Sequence, residues 1–123
     1  GGFHIEEAVY GSKYYYPSIG RMVESSRAWE EGMPEDTILV HLTADRDKIA
    51  QRMKADPHQY EVVPEGDIEE MQAAFQEEYR RTWIRRKLTI DTTGLTDEQL
   101  LETFLKESIP HLDTRDFLIR QSL

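Results

Sequence analysis

The chain contains no cysteine, which excludes both a disulfide framework and a thiolate metal site and fits a reducing compartment. No apolar run approaches the ~20 residues of a membrane span, and no signal peptide is visible. Cations are in deficit: 15 lysines and arginines stand against 24 aspartates and glutamates, a net charge of −9. That balance repels a phosphodiester backbone and argues against general nucleic-acid binding. No stretch reads Gly-x-x-x-x-Gly-Lys-Ser/Thr, the loop whose backbone amides cradle a nucleotide's phosphates. His58 stands among polar residues with no second histidine at ligand spacing, so no metal site is expected. The expectation is a soluble, cytoplasmic protein without membrane contact. Its opening Gly1-Gly2, with no initiating methionine, reads as a cloning remnant or a cut within a longer gene.

What is present suffices for one folded domain over residues 1–123. Hydrophobic residues make up 38% and charged residues 32% of the 123, and Trp29, Phe75, Trp83 and Phe104 are spread along them, a composition that forms a core. Strand-like and helix-like stretches alternate with no internal repeat, the pattern of an α/β layered fold.

The opening FHIEEAVY is compatible with a strand, and GSKYYYPS after it reads as a loop. Glu6 and Glu7 then point to opposite faces and cannot act as an acid/base pair. Pro17 and Ser18 can start a helix in which Met22, Ser25, Ser26 and Trp29 recur at helical spacing, ended by Gly32 and Pro34. Thr37 to Thr43 (TILVHLT) is a short β-branched run, the pattern of a strand buried on both faces of a parallel sheet. His41 within it reads as a core or edge histidine. Thr43 or Asp45 can cap the next helix, with Ile49 and Met53 inward and Pro57 breaking it. DPHQYEVVPEG follows as a polar loop.

From Asp67, residues Ile68, Met71, Phe75 and Tyr79 mark one apolar face of a long helix, and Glu69, Glu70, Glu77 and Glu78 the wet one. Arg80, Arg81, Arg85, Arg86 and Lys87 cluster at its end, where cations complement the helix dipole and pair with Glu77 and Glu78. Leu88 to Thr92 (LTIDT) reads as a second buried strand. Thr96 to Gln99 (TDEQ) is a capping box for a helix with Leu100, Leu101, Phe104 and Leu105 inward, closed by Pro110. The tail DTRDFLIRQSL fits a short helix or an edge segment. Tyr14, Tyr15 and Tyr16 can stack on a base, but beside Lys13 and Pro17 such a cluster more often packs a loop onto a sheet edge or an interface. Two or three buried parallel strands leave outer backbone groups that something must cover: an N-terminal half, a second copy in a homo-oligomer, or a partner.

Order and spacing resemble the latter half of P-loop nucleoside and nucleotide kinases, thymidylate-kinase-like proteins in particular, over about residues 18 to 108. RMVESSRAWE at Arg21 to Glu30 is similar to that family's Arg, acidic, Ser-Ser, Ala-aromatic stretch. The resemblance implies a phosphate contact for Arg21, with Ser25 and Ser26 beside the acceptor. ILVHLTADRDKIAQRM is similar to the strand and helix leading to the lid, about residues 52–66. It implies lid roles toward ATP for Arg52, Lys54 and His58, since arginines on a mobile lid neutralise charge in phosphoryl transfer. IDTTG at Ile90 to Gly94 is similar to the strand end that borders the nucleotide base, which puts Asp91, Thr92 and Thr93 there. EEAVYG is similar to the acidic loop of deoxynucleoside kinases, implying a base role for Glu7.

The fold so implied is a P-loop-kinase-like three-layer parallel sheet of which this chain is the C-terminal half. The function implied for the complete form is transfer of the ATP phosphoryl group, with Mg²⁺, to a nucleoside, nucleotide or other small acceptor. Without the phosphate loop this nucleotide-binding half is expected to be inactive alone. The alternative is a non-catalytic interaction module that oligomerises through its exposed half-sheet.

Overall fold

The computed structural model describes residues 3–15, 22–57 and 63–122. It is a mixed α/β chain, mostly helical, with a two-stranded parallel sheet. The chain forms two compact units, Gly1–Met33 with Ala44–Trp83, and Pro34–Thr43 with Ile84–Leu123. Among the described residues no helix is long and apolar enough to cross a membrane.

The first unit opens with α1 (Phe3–Glu6), which runs on in π-helical geometry over Glu7–Tyr15. The strand assigned to FHIEEAVY, and the loop assigned after it as far as Tyr15, are thereby corrected; the rest of that loop lies outside the described residues. Ile5, Ala8 and Val9, at i, i+3 and i+4, form a buried face while Glu6 is exposed, and that spacing belongs to a helix. Helix α2 (Met22–Glu31) follows, then α3 (Arg46–Ala55), a 3₁₀ turn (Glu65–Asp67) and α4 (Ile68–Arg81). The expected start of α2 at Pro17-Ser18 lies outside the described residues.

Helix α4 keeps the expected faces. Ile68 and Met71 are buried, Phe75 and Tyr79 half-buried, and Glu69 and Glu70 exposed. Tyr10 meets Phe75 edge-on at 5.3 Å between ring centroids, so the π-helical stretch lies on this apolar face. At the C-terminus, Glu77 takes Arg80 at 2.6 Å and Arg81 at 2.9 Å. The Arg80 hydrogen bond holds the Glu77 carboxyl below its usual range, whereas burial pushes Glu78 up. On α2 the Trp29 indole is 62% exposed and its neighbour Glu30 is buried. In α3 Asp45 stands at the N-cap without a side-chain capping bond.

The second unit holds β1 (Ile38–Thr43) and β2 (Arg86–Asp91), parallel and in register from Ile38 opposite Arg86 to Thr43 opposite Asp91. Burial on both faces does not hold. Leu88 and Ile90 are buried while Thr89 and Asp91 are exposed, and on β1 Leu42 is 54% exposed. Strand neighbours lie in the plane of the sheet and shelter neither face, so face burial is set by what packs on it, and β2 alternates as a strand covered on one face does. Burial also pushes the His41 imidazole below its usual range.

Helix α5 (Asp97–Ser108) packs on β2. Its capping box forms as expected: Thr96 Oγ1 accepts from the Gln99 amide at 3.2 Å, and the Thr96 amide donates to Gln99 Oε1 at 2.9 Å. Leu101 and Leu105, expected inward, are instead 58% and 42% exposed, and only Leu100 and Phe104 are half-buried. The α5 stripe is therefore narrower than its leucines suggest. A 3₁₀ turn (Ile109–His111) leads to α6 (Thr114–Gln121), so the tail is helical. Arg86 reaches back from β2 to Asp113 at 3.5 Å and Asp116 at 3.3 Å.

Removal of the Thr96 hydroxyl strips one donor acceptance from the start of α5. Thr96→Ala should lower unfolding stability by about 1 kcal/mol, read as a shift in urea midpoint at unchanged slope.

Candidate functional site

Parallel sheets bind ligands outside the carboxyl ends of their strands, where loops leave a crevice. Here β1 and β2 end side by side at Thr43 and Asp91. Beyond them Thr92 turns inward. Its amide and hydroxyl both donate to the Thr43 carbonyl, at 2.7 Å and 2.9 Å, and the residue is buried. Asp91 faces solvent, and its Oδ1 accepts the Thr93 amide at 3.0 Å and the Thr93 hydroxyl at 2.6 Å. Those two donors, the hydroxyl foremost, hold the Asp91 carboxyl below its usual range. The Leu95 amide closes the turn on the Thr92 carbonyl at 3.2 Å, directly before the Thr96 cap. The expected IDTTG residues therefore form one pre-shaped turn at the strand end.

Arg52 and Lys54 lie in the other unit, in the last turns of α3, and both are exposed. Lys54 Nζ is 3.7 Å from Glu65, which also draws Arg46 Nη1 at 3.8 Å. Ala50, Met53, Lys54, Pro57 and Glu65 line an open cleft of about 250 Å³. Of the lid-like segment, residues 52–55 complete α3 and Glu65 and Gly66 enter the 3₁₀ turn. His58 lies outside the described residues. So do Arg21 and the side chains of Ser25 and Ser26, whose backbone is part of α2. Glu7 is half-buried at the start of the π-helical stretch. The structure thus assembles Asp91, Thr92 and Thr93, and sets Lys54 against Glu65.

The most highly connected polar group was not anticipated. Glu30 is 8% exposed, and its Oε1 accepts from His4 Nε2 at 3.1 Å and from the Thr82 hydroxyl. Its Oε2 accepts the Trp83 amide at 2.8 Å. Arg27 lies 5.7 Å from the Trp83 ring, a cation–π spacing. In sequence Glu30 reads as one more acid beside Trp29 and Glu31. Only His4, in phase with buried Ala8, hinted that a polar group was going inside.

Compared with protein-family profiles, with curated proteins and with solved structures, the chain matches none.

ATP with Mg²⁺, which the kinase resemblance implies, can be tested against this donor set. Thr92 spends both donors on Thr43, Asp91 Oδ1 is taken by Thr93, and Lys54 faces a carboxylate. Among the described residues no group of three or more His, Asp or Glu could hold a metal ion. These residues do not fit a triphosphate–Mg²⁺ complex by themselves.

A depressed Asp91 pKa means the fold favours the ionised carboxyl. That stabilisation is present above the unfolded value and fades as pH falls through the lower folded value. In an NMR titration Asp91 should titrate below the ordinary 3.8, and Thr93→Val should move it back upward. An unmoved midpoint in Thr93→Val would remove the hydroxyl as the cause.

Proposed function

We propose that this chain is the base-side half of a P-loop-kinase-like three-layer domain. In complete form that domain moves the ATP phosphoryl group to a nucleoside, nucleotide or other small acceptor, in a cytoplasmic setting. The observation that carries the reading is the strand end. Two adjacent parallel strands finish in register, and the second runs into a rigid polar turn locked to the first through Thr92 and Thr43. That is the place and the chemistry with which α/β sheets hold a nucleotide's base and sugar. The exposed cations Arg52 and Lys54 at the end of α3 support a lid role. The phosphate cradle and the metal ligands are supplied by residues other than these 123, because no phosphate loop occurs among them. Fold resemblance alone never fixes a reaction, so the weight rests on the turn.

An ¹⁵N-NMR titration of the chain with adenosine, and separately with ATP, tests this. Both ligands should shift the amides of residues 91–94 with a Kd of about 1 mM, little more than 4 kcal/mol. Arg52→Ala should weaken ATP and leave adenosine unchanged, and neither protein should transfer phosphate. If about 10 mM of either ligand, well above that Kd, leaves the turn unmoved, the base-side reading is wrong.

A non-catalytic interaction module is the second reading, favoured by β1. Its Ile38–Thr43 run carries no charge and no proline, Leu42 is half exposed, and β2 is its one strand partner among the described residues. An uncharged edge strand is a template for pairing. Sedimentation as a stable monomer at about 100 μM would count against it, since strand-paired assemblies of useful affinity are formed by then.

A further inference from the structure

Helix α6 is fixed by polar contacts, yet none of its described side chains is buried. Asp113 Oδ1 accepts the Asp116 amide at 3.0 Å and Asp116 Oδ2 accepts the Asp113 amide at 2.9 Å, a reciprocal cap on the first turn. Arg86 ties both carboxylates to the start of β2. Beyond that anchor Phe117, Leu118 and Ile119 stand 38%, 63% and 52% exposed. A helix of eight residues is marginal in water without tertiary packing, so this apolar surface lacks the cover that would stabilise it. The bareness continues on α5, where Leu101, Leu105 and Ile109 recur at i, i+4 and i+8 and are 58%, 42% and 42% exposed. That spacing makes one straight ridge of the kind that packs into a neighbouring helix. At roughly 200 Å² for each large side chain when fully exposed, these six leave on the order of 600 Å² of apolar area in water. A monomer seldom leaves more, and with a polar rim the area approaches the roughly 800 Å² per partner of a standard interface.

The polar row beside the ridge identifies the occupant. Glu98, Glu102 and Lys106 also recur at i, i+4 and i+8, all exposed, and Arg115 follows in the first turn of α6. Among the described residues none of these four makes an ion pair. Their charge runs from acidic to basic along the chain. A second copy lying antiparallel sets its basic end against this acidic end, and the reverse, whereas a parallel copy sets like against like. The dipole of α5 favours the same order within one chain, but it gives no account of the apolar ridge alongside. A surface whose charges complement themselves under a two-fold rotation is the signature of an isologous contact.

We propose that the chain forms a two-fold dimer in which two copies of α5 pack antiparallel with Leu105 on the axis. Leu101 then meets the partner's Ile109, and Lys106 meets the partner's Glu102. Helix α6, with Leu118 and Arg115, lies over the start of the other α5 at the partner's Glu98. The dimer uses neither the edge of β1 nor the nucleotide reading, and it stands or falls apart from both.

Sedimentation velocity should show a dimer at about 100 μM that dissociates on dilution toward about 1 μM. Leu105→Glu sets two carboxylates opposite each other on the axis, and should leave a monomer at about 100 μM with the native far-UV spectrum. Glu102→Lys places like charges together and should weaken the dimer about tenfold or more, and adding Lys106→Glu should restore it. Because the chain has no cysteine, single substitutions can map the axis. Leu105→Cys meets its own copy there and should give a disulfide-linked dimer under mild oxidation, whereas Glu107→Cys, on the opposite side of α5, should not. A native monomer at about 100 μM, a dimer that survives Leu105→Glu as edge pairing through β1 would, or cross-linking as ready at 107 as at 105 would each overturn the proposal. Should Leu105→Glu not fold, the charge exchange at exposed positions 102 and 106 decides the matter, and a dimer indifferent to Glu102→Lys rejects it.

Discussion

Two parallel strands cannot be joined by a tight turn, because the chain must return to the same end of the sheet before it can run in the same direction again. The pairing of β1 with β2 therefore dictates the path of everything between Thr43 and Arg86, which here comprises α3 and α4. It also decides which chemical groups meet. Both strands end on the same side, so the Thr43 carbonyl becomes the acceptor that pins Thr92, and Asp91 is left outside to organise Thr93. The Asp91–Thr93 turn is a consequence of that direction, since an antiparallel partner would bring the opposite strand end to it.

The first unit depends on a different kind of constraint. Among the described residues its buried hydrophobic side chains are Ile5, Ala8, Val9, Ala44, Ala50, Ile68 and Met71, three of them alanines. A core of that size gains modestly from burial, and orientation falls to polar contacts. Glu30 supplies the most of these by tying α1, α2 and the segment after α4 to one side chain. A buried carboxylate is costly to desolvate unless its oxygens are occupied, and here three donors occupy them.

Much of this was legible before any coordinates. The periodicity from Ile68 to Tyr79, the Thr96-to-Gln99 capping box and both strands emerge from spacing alone, because each is decided by residues within a turn or by the alternation of one strand. Asp91, Thr92 and Thr93 were singled out as a strand-end group by the kinase resemblance, at the end of a strand that its own pattern marked. The opening segment was not, since FHIEEAVY alternates well enough for a strand and only the joint burial of Ile5, Ala8 and Val9 selects a helix. Leu101 and Leu105 were misplaced because hydrophobicity says that a residue prefers shelter, while shelter depends on what lies opposite.

By itself the sequence determined the helices with strong local signals, the two short β-branched strands, the acidic balance, and the lack of a phosphate loop or thiolate chemistry. These follow from composition or from neighbours within a few positions, where backbone geometry leaves few choices. Tertiary structure alone decided the register in which β1 and β2 pair, that the sheet buries one face, and that Glu30 turns inward beside an exposed Trp29. Each of those outcomes rests on contacts between residues far apart in the chain, His4 with Glu30, Thr82 with Glu30, Thr43 with Thr92. The free energy of such a contact belongs to the pair, and no local stretch of sequence carries it.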